Sequence, residues 1–217
     1  MSSAGSELAT IVSALVGAVI AMRRSRRAQR TIAKLDALAL RKPVSKAPVA
    51  VLGGLLGALT FDRFGFSLEM FAYGLMIAMC IEQSIIDYTT HRLPRGVTFR
   101  ATIVGGPLLA LAAINHDDNG RIGVMFASFV VTFALFALLA AFSKGGIGGG
   151  DVRLAPVLAM FLGWLSASHV YIGLGGGFIL GGIAAAGMLI TRRASASTRI
   201  AFGPFLCIGA VAVVLLY

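Results

Sequence analysis

Eight apolar runs separated by short polar segments constrain this chain more than any other feature of its sequence. They lie at about 8–22, 47–61, 68–86, 97–114, 122–142, 154–169, 170–190 and 200–217. A helix that crosses a bilayer needs about 20 residues, with a lower limit near 17. Several runs meet this length. The first, second and sixth are short, and each could gain length from polar flanks or be half-inserted. The pattern predicts an all-α, polytopic membrane protein of about eight transmembrane helices, with six or seven as the alternative count.

The composition agrees with a membrane protein. Charged residues make up 13% of the chain, whereas a soluble domain carries about 25%. Because no long polar stretch interrupts the apolar runs, we expect residues 1–217 to form a single integral membrane domain. The first run has no charged region before it and a basic cluster after it, the reverse of a cleavable signal peptide. We therefore expect it to remain as a helix.

The basic residues follow the alternation of the apolar runs. Segment 23–46 carries nine of the 19 lysines and arginines, and alternation places eight more on the same side. Cytoplasmic loops of membrane proteins carry the excess of lysine and arginine, so we expect 23–46 to be cytoplasmic and both termini to lie outside. The net charge of +10 then reflects topology, and no nucleic-acid partner is expected. Segment 23–46 is either a solvated loop, which we favour, or a short basic amphipathic helix on anionic lipid.

The same alternation places two aspartates at the cytoplasmic boundary of the membrane. Asp87 closes the third apolar run, and Asp151 follows the glycine-rich stretch GGIGGG. A carboxylate near membrane depth is costly and is a functional candidate by default. Two close carboxylates cannot both ionise easily, so one can activate water while the other polarises a carbonyl. A helix-end charge would explain Asp151, but a carboxylate at a helix C-terminus, as at Asp87, is unfavourable.

The residues around the two aspartates resemble those of a known family. The chain reads IDYTTHRLPRGVT at 86–98, GGIGGGDVRLAP at 145–156 and AFGPFL at 201–206. The second stretch resembles the GxGD motif of the type IV prepilin peptidases, which are membrane aspartyl proteases. The first resembles that family's first catalytic Asp with its Pro-containing loop, and the third resembles the block that opens its last helix. The three matches occur in the family's order and cover most of the chain.

The resemblance implies an activity and a location. It implies an aspartyl endopeptidase of the bacterial inner membrane that cleaves the leader of prepilins or pseudopilins at the cytoplasmic face. Asp87 and Asp151 would be catalytic, with no metal or cofactor. Many members also carry paired CxxC motifs linked to N-methylation, but 23–46 contains no cysteine. The chain thus resembles the short, peptidase-only branch found with tight-adherence pili. The alternatives are another GxGD intramembrane protease, or a small transporter or membrane scaffold.

Several other residues are candidates for supporting roles. Gln83 shares a helical face with Asp87 and either hydrogen-bonds its carboxylate or bridges helices. Gly148 and Gly150 lack Cβ atoms, so their backbone can approach a peptide closely. Arg92 and Arg153 either attract an acidic substrate group or only anchor the topology.

Three further residues receive structural expectations. Glu82 is an intramembrane acid that we expect to face protein or water. Cys80 and Cys207 are predicted to be small packed apolar residues. The oligomeric state is not predicted.

Overall fold

The structure is a computed structural model that describes residues 3–35, 45–143, 147–191 and 201–217. These residues form eight α-helices and no strand, as the apolar runs predict. The helices are α1 Ser3–Leu35, α2 Lys46–Phe64, α3 Leu68–Thr90, α4 Arg95–Asn115, α5 Gly120–Phe142, α6 Asp151–Leu165, α7 Ala167–Ile190 and α8 Gly203–Leu216.

Six of these helices, α1 to α5 and α7, are long and apolar enough to cross a membrane. This confirms a polytopic membrane protein. The sixth helix is short, as expected, with 15 residues, and α8 has 14. The first apolar run gains length from its polar flank, because α1 continues through the basic cluster to a total of 33 residues. Arginine is a good helix former, so the basic cluster continues the helix instead of ending it.

The basic end of α1 packs against the protein. Ala21, Ser25, Ala28 and Ile32 are buried at spacings of four, three and four residues, which places them on one face of the helix. Ala28 and Ile32 form an apolar cluster with Ile86 of α3. The prediction of a solvated loop is therefore wrong for residues 23–35, and this apolar face contacts α3 rather than lipid. Residues 36–44 lie outside the described part of the chain.

A buried ion pair joins the same two helices. Arg24 Nη1 donates to Glu82 Oε2 at 2.8 Å, and Glu82 is fully enclosed. Glu82 thus faces protein, as expected for an intramembrane acid. Because Arg24 meets Glu82 while Ala28 packs near Ile86, α1 and α3 run side by side in the same direction.

Glycines bring α1 and α2 close together. A Cβ atom added at Gly17 would lie 2.3 Å from the carbonyl oxygen of Gly53, and one at Gly57 would lie 2.8 Å from that of Ser13. Small residues at such interfaces let helix backbones approach closely in lipid. These contacts attach α1 firmly to the rest of the bundle.

Helix α6 lies at the centre of the molecule. Every residue from Leu154 to Trp164 is buried, as expected for a helix that is apolar on all sides. Two buried hydrogen bonds join it to its neighbours: Tyr73 Oη donates to the Phe161 carbonyl at 3.0 Å, and Trp164 Nε1 donates to the Leu109 carbonyl at 2.9 Å. Because other helices enclose α6, its sides contact protein rather than lipid.

The two cysteines are small packed residues, as predicted. Cys80 of α3 and Cys207 of α8 are both buried and unbridged, and their thiols contact each other. Cys80 lies seven residues before Asp87, so this contact belongs to the α3–α8 interface that leads to the aspartates.

Candidate active site

Asp87 lies near the end of α3 and is only 5% exposed. Its Oδ2 accepts a hydrogen bond from the backbone N–H of Gly203, the first residue of α8, at 3.0 Å. The first N–H groups of a helix have no partner within the helix and carry its positive dipole end. The start of α8 thus supplies the stabilising contact that the C-terminal end of α3 cannot give to a carboxylate.

Asp151 is the first residue of α6 and lies outside the six helices that are long and apolar enough to cross a membrane. It is 8% exposed, and its Oδ1 has no hydrogen-bond partner in the described part of the protein. Burial, followed by the negative charge of Asp87, raises the pKa of Asp151 to about 6. The structure therefore brings Asp87 and Asp151 into electrostatic contact, although 64 positions separate them in the sequence.

The glycine-rich segment before Asp151 packs tightly at two positions. A Cβ added at Gly148 would lie 3.1 Å from Asp151 Oδ2, and one at Gly150 would lie 2.7 Å from the Cβ of Leu93. The Asp151 N–H donates to the Gly148 carbonyl at 2.9 Å, which closes the turn into α6. Lack of a side chain at these glycines is thus needed for packing, apart from any contact with substrate.

The turn after α3, residues 91–94, connects the two halves of the site. His91 has a left-handed φ of 50° and donates its N–H to the Asp87 carbonyl at 2.8 Å. Gln83 Nε2 donates to the Pro94 carbonyl at 3.3 Å. Of the two roles expected for Gln83, the hydrogen bond to the Asp87 carboxylate is not seen among the described residues, and the amide instead links α3 to Pro94, the residue before α4. The turn folds back along α3, so the Pro94 carbonyl is what the Gln83 amide meets.

The two predicted arginines lie at the edge of the site. Arg92 is exposed and Arg153 is half-buried. Neither forms an ion pair with a carboxylate of the described residues. Away from the site, His116 pairs with Glu69 at the start of α3, at the end opposite Asp87.

Sequence reasoning missed two residues that touch the site. The block at 201–206 was noted only as the opening of a helix, yet Gly203 in it contacts Asp87 directly. Leu93 received no role, yet its side chain lies against both Gly150 and Gly203. The glycine in the block could have suggested a close approach, whereas nothing in the sequence distinguishes Leu93 from other leucines.

This arrangement is suited to general acid–base chemistry. One carboxyl with a raised pKa can hold a proton while its neighbour is ionised. The ionised group can deprotonate a water molecule, and the protonated group can donate to a carbonyl oxygen. Because the carboxylates interact, their titration belongs to the pair rather than to either residue.

Comparison with known proteins identifies the family of the chain. Residues 70–217 match the model of the Type IV leader peptidase family. The chain is 29% identical over 152 residues to a prepilin leader peptidase/N-methyltransferase of Bacillus subtilis, covering 69% of this chain and 57% of the relative. It is 31% identical over 182 residues to the protein of the same name from Pseudomonas aeruginosa, covering 79% and 57%.

The chain thus spans little more than half the length of these curated relatives. No solved structure matches it. The family match covers well over half of this chain and includes both aspartates, the turn after α3 and the start of α8. The chain belongs to the type IV leader peptidase family.

Proposed function

We propose that this protein is a membrane aspartyl endopeptidase that removes the leader peptide of type IV prepilins or pseudopilins. The observation that carries the proposal is the placement of two buried carboxylates, Asp87 and Asp151, beside the same Leu93 side chain within a family of leader peptidases. The curated relatives are named as prepilin leader peptidases. Both are also named as N-methyltransferases, but the two cysteines of this chain are buried in helices, so methylation is not part of the proposal.

In the proposed mechanism, the aspartate pair holds one proton before the substrate binds. The ionised carboxylate takes a proton from water, and the resulting hydroxide attacks the scissile carbonyl carbon. The protonated carboxyl donates to the carbonyl oxygen as the tetrahedral intermediate forms. Collapse of that intermediate breaks the C–N bond. The leaving amine receives the proton that the first carboxylate took from water, and a hydroxyl proton of the intermediate returns to the second carboxylate. No covalent enzyme intermediate is required.

The pair is proposed to work at the cytoplasmic face of the bacterial inner membrane, with both termini outside. The basic end of α1 supports this depth, because it runs beside α3 past the level of Asp87. Its outward-facing cations are exposed: Arg23, Arg26, Arg27, Arg30 and Lys34. Long basic side chains near helix ends reach for the headgroup region. The aspartates would then lie where both water and a membrane-embedded substrate can reach them.

Four residues near the pair are proposed to support substrate binding. Gly148 is exposed, so an extended peptide can approach the backbone before Asp151, and Gly150 supports this loop by its close packing against Leu93. Arg92 is exposed beside the turn after α3, and Arg153 follows Asp151 by two positions. Their charges suit an acidic group on a substrate, and they also contribute to the basic excess on this side of the membrane.

Leader removal tests the proposed function. The chain is co-expressed with a candidate prepilin, and the shortened product is followed by gel shift and by mass spectrometry of the new N-terminus. Asp87→Asn and Asp151→Asn should each lower the cleavage rate by at least about 100-fold, in the range for loss of a general acid or base. Asp117→Asn is the control, because Asp117 is exposed and its φ of 55° suits asparagine.

Two outcomes would contradict the proposal. Normal cleavage by either active-site variant would exclude the two-aspartate mechanism. Absence of cleavage by the unmodified chain, together with a proton flux that the same two variants abolish, would favour a transporter.

A further inference from the structure

The Leu93 side chain lies between two glycines, one next to each aspartate of the pair. Leu93 is half-buried in the turn after α3. A Cβ added at Gly150 would lie 2.7 Å from Leu93 Cβ, and one added at Gly203 would lie 3.3 Å from Leu93 Cδ2. Gly150 precedes Asp151, and Gly203 donates to Asp87. Leu93 therefore fills the space between the segment that carries one aspartate and the helix end that holds the other.

The turn that carries Leu93 is tethered on both sides. On one side, the His91 N–H donates to the Asp87 carbonyl at 2.8 Å. On the other, the fully buried Gln83 donates from Nε2 to the Pro94 carbonyl at 3.3 Å. Pro94 has a φ of −66°, which its ring restricts. Leu93 lies between these two anchored residues, so its backbone has little freedom to move.

We propose that Leu93, held in place by Gln83 through Pro94, is a positioning residue that sets the separation of Asp87 and Asp151. The proposal rests on the proposed function of the two aspartates as a proteolytic pair. Gly150 and Gly203 have no side chains with which to fill the space that Leu93 occupies. Loss of the Leu93 side chain would let the Gly150 segment and the start of α8 shift and would admit water between them.

The kinetic test compares two leucines. Leu93→Ala should lower kcat for leader cleavage by about 10- to 100-fold with little change in KM, because a misplacement of about 1 Å can cost that much. Leu108→Ala is the matched control. Leu108 is also a half-buried leucine packed on the core, but it lies 13 residues into α4, roughly 20 Å along the helix from Pro94. Its variant should lose stability without loss of kcat.

A second measurement needs no substrate and reports on the aspartate pair itself. The pKa of Asp151 is about 6 in the folded protein, above the ordinary value of about 3.9. Ionisation of Asp151 therefore destabilises the folded state as pH rises from about 4 through 6. Asp151→Asn removes this effect, so its Tm should match that of the unmodified protein below pH 4 and exceed it above pH 6. The single tryptophan, Trp164, gives a fluorescence signal for unfolding in detergent.

If Leu93 positions the pair, its removal should change the Tm difference between Asp151→Asn and the unmodified protein. In a Leu93→Ala background, Asp151 becomes more hydrated and lies farther from Asp87, so the Tm gain from Asp151→Asn above pH 6 should shrink. In a Leu108→Ala background the gain should persist. Asp87 is the ionisable group that acts on Asp151, and His91 acts on Asp87 in turn. Both residues are retained in every variant.

Two further variants cover the case in which Leu93→Ala fails to fold. Gln83→Met removes the donor to Pro94 at nearly constant volume and should lower kcat in the same direction. Leu93→Met keeps the side-chain volume and should retain most of the kcat of the unmodified chain.

The outcomes separate the two proposals. A normal kcat in Leu93→Ala and Gln83→Met, together with an unchanged Tm gain from Asp151→Asn in the Leu93→Ala background, would overturn the positioning role. If the unmodified chain cleaves no prepilin, the proposed function fails, while the Tm difference still decides whether Leu93 controls the pair.

Discussion

At the residue scale, Gly203 shows why a glycine can be required next to a carboxylate. Its N–H donates to Asp87, and a Cβ at this position would lie 2.8 Å from Asp87 Oδ2. Gly203→Ala must therefore displace the carboxylate, and we expect a fall in kcat of about 100-fold. The measurement is the rate of leader cleavage.

Gly182→Ala controls for the general effect of adding a methyl group to a helical glycine. A Cβ at Gly182, in α7, meets no heavy atom within 4 Å, and alanine favours helix more than glycine does. Equal cleavage rates in the two variants would show that the Gly203–Asp87 contact does not matter for activity.

At the scale of elements, the ion pair between α1 and α3 holds the basic end of α1 in place. Arg24→Met leaves the Glu82 carboxylate buried without its partner, which costs about 3–5 kcal/mol in comparable cases. We expect a clear drop in Tm for unfolding in detergent. The double variant Arg24→Met with Glu82→Leu should recover much of this loss, because no uncompensated charge remains.

Arg23→Met is the matched control for this pair. Arg23 is the exposed neighbour of Arg24 on the same helix, so its loss should change Tm little. If Arg24→Met were as stable as Arg23→Met, α1 would be held by the close contacts of Gly17 and Gly53 and by the apolar cluster around Ile32.

At the scale of the whole molecule, the proposed orientation can be tested by chemical labelling. Cys80 and Cys207 are replaced by alanine, and a single cysteine is placed at Asp118, between α4 and α5, or at Thr191, at the end of α7. Both positions are exposed. In intact cells a membrane-impermeant maleimide should label only the cysteine at position 118, because the basic excess lies on the other side. Labelling at position 191 alone would reverse the orientation.

The sequence by itself determined the properties that depend on local composition. The length and spacing of apolar runs predicted eight helices, because a bilayer sets the length of a span. The two aspartates could be identified as functional candidates because a carboxylate near lipid is costly and because their flanking motifs resemble those of the family. Neither inference required knowing which helices touch.

Only the tertiary structure decided the partners of these residues. Arg24 meets Glu82 across 58 positions, and Gly203 meets Asp87 across 116. Packing likewise decides three other features. Helix α1 continues through the basic cluster, Gln83 donates to Pro94, and Leu93 lies between Gly150 and Gly203. Hydropathy specifies that a segment is buried or lipid-facing, but many pairings of apolar helices satisfy it equally. Close approach at glycines and the pairing of buried polar groups select one arrangement, and that arrangement brings the two aspartates together.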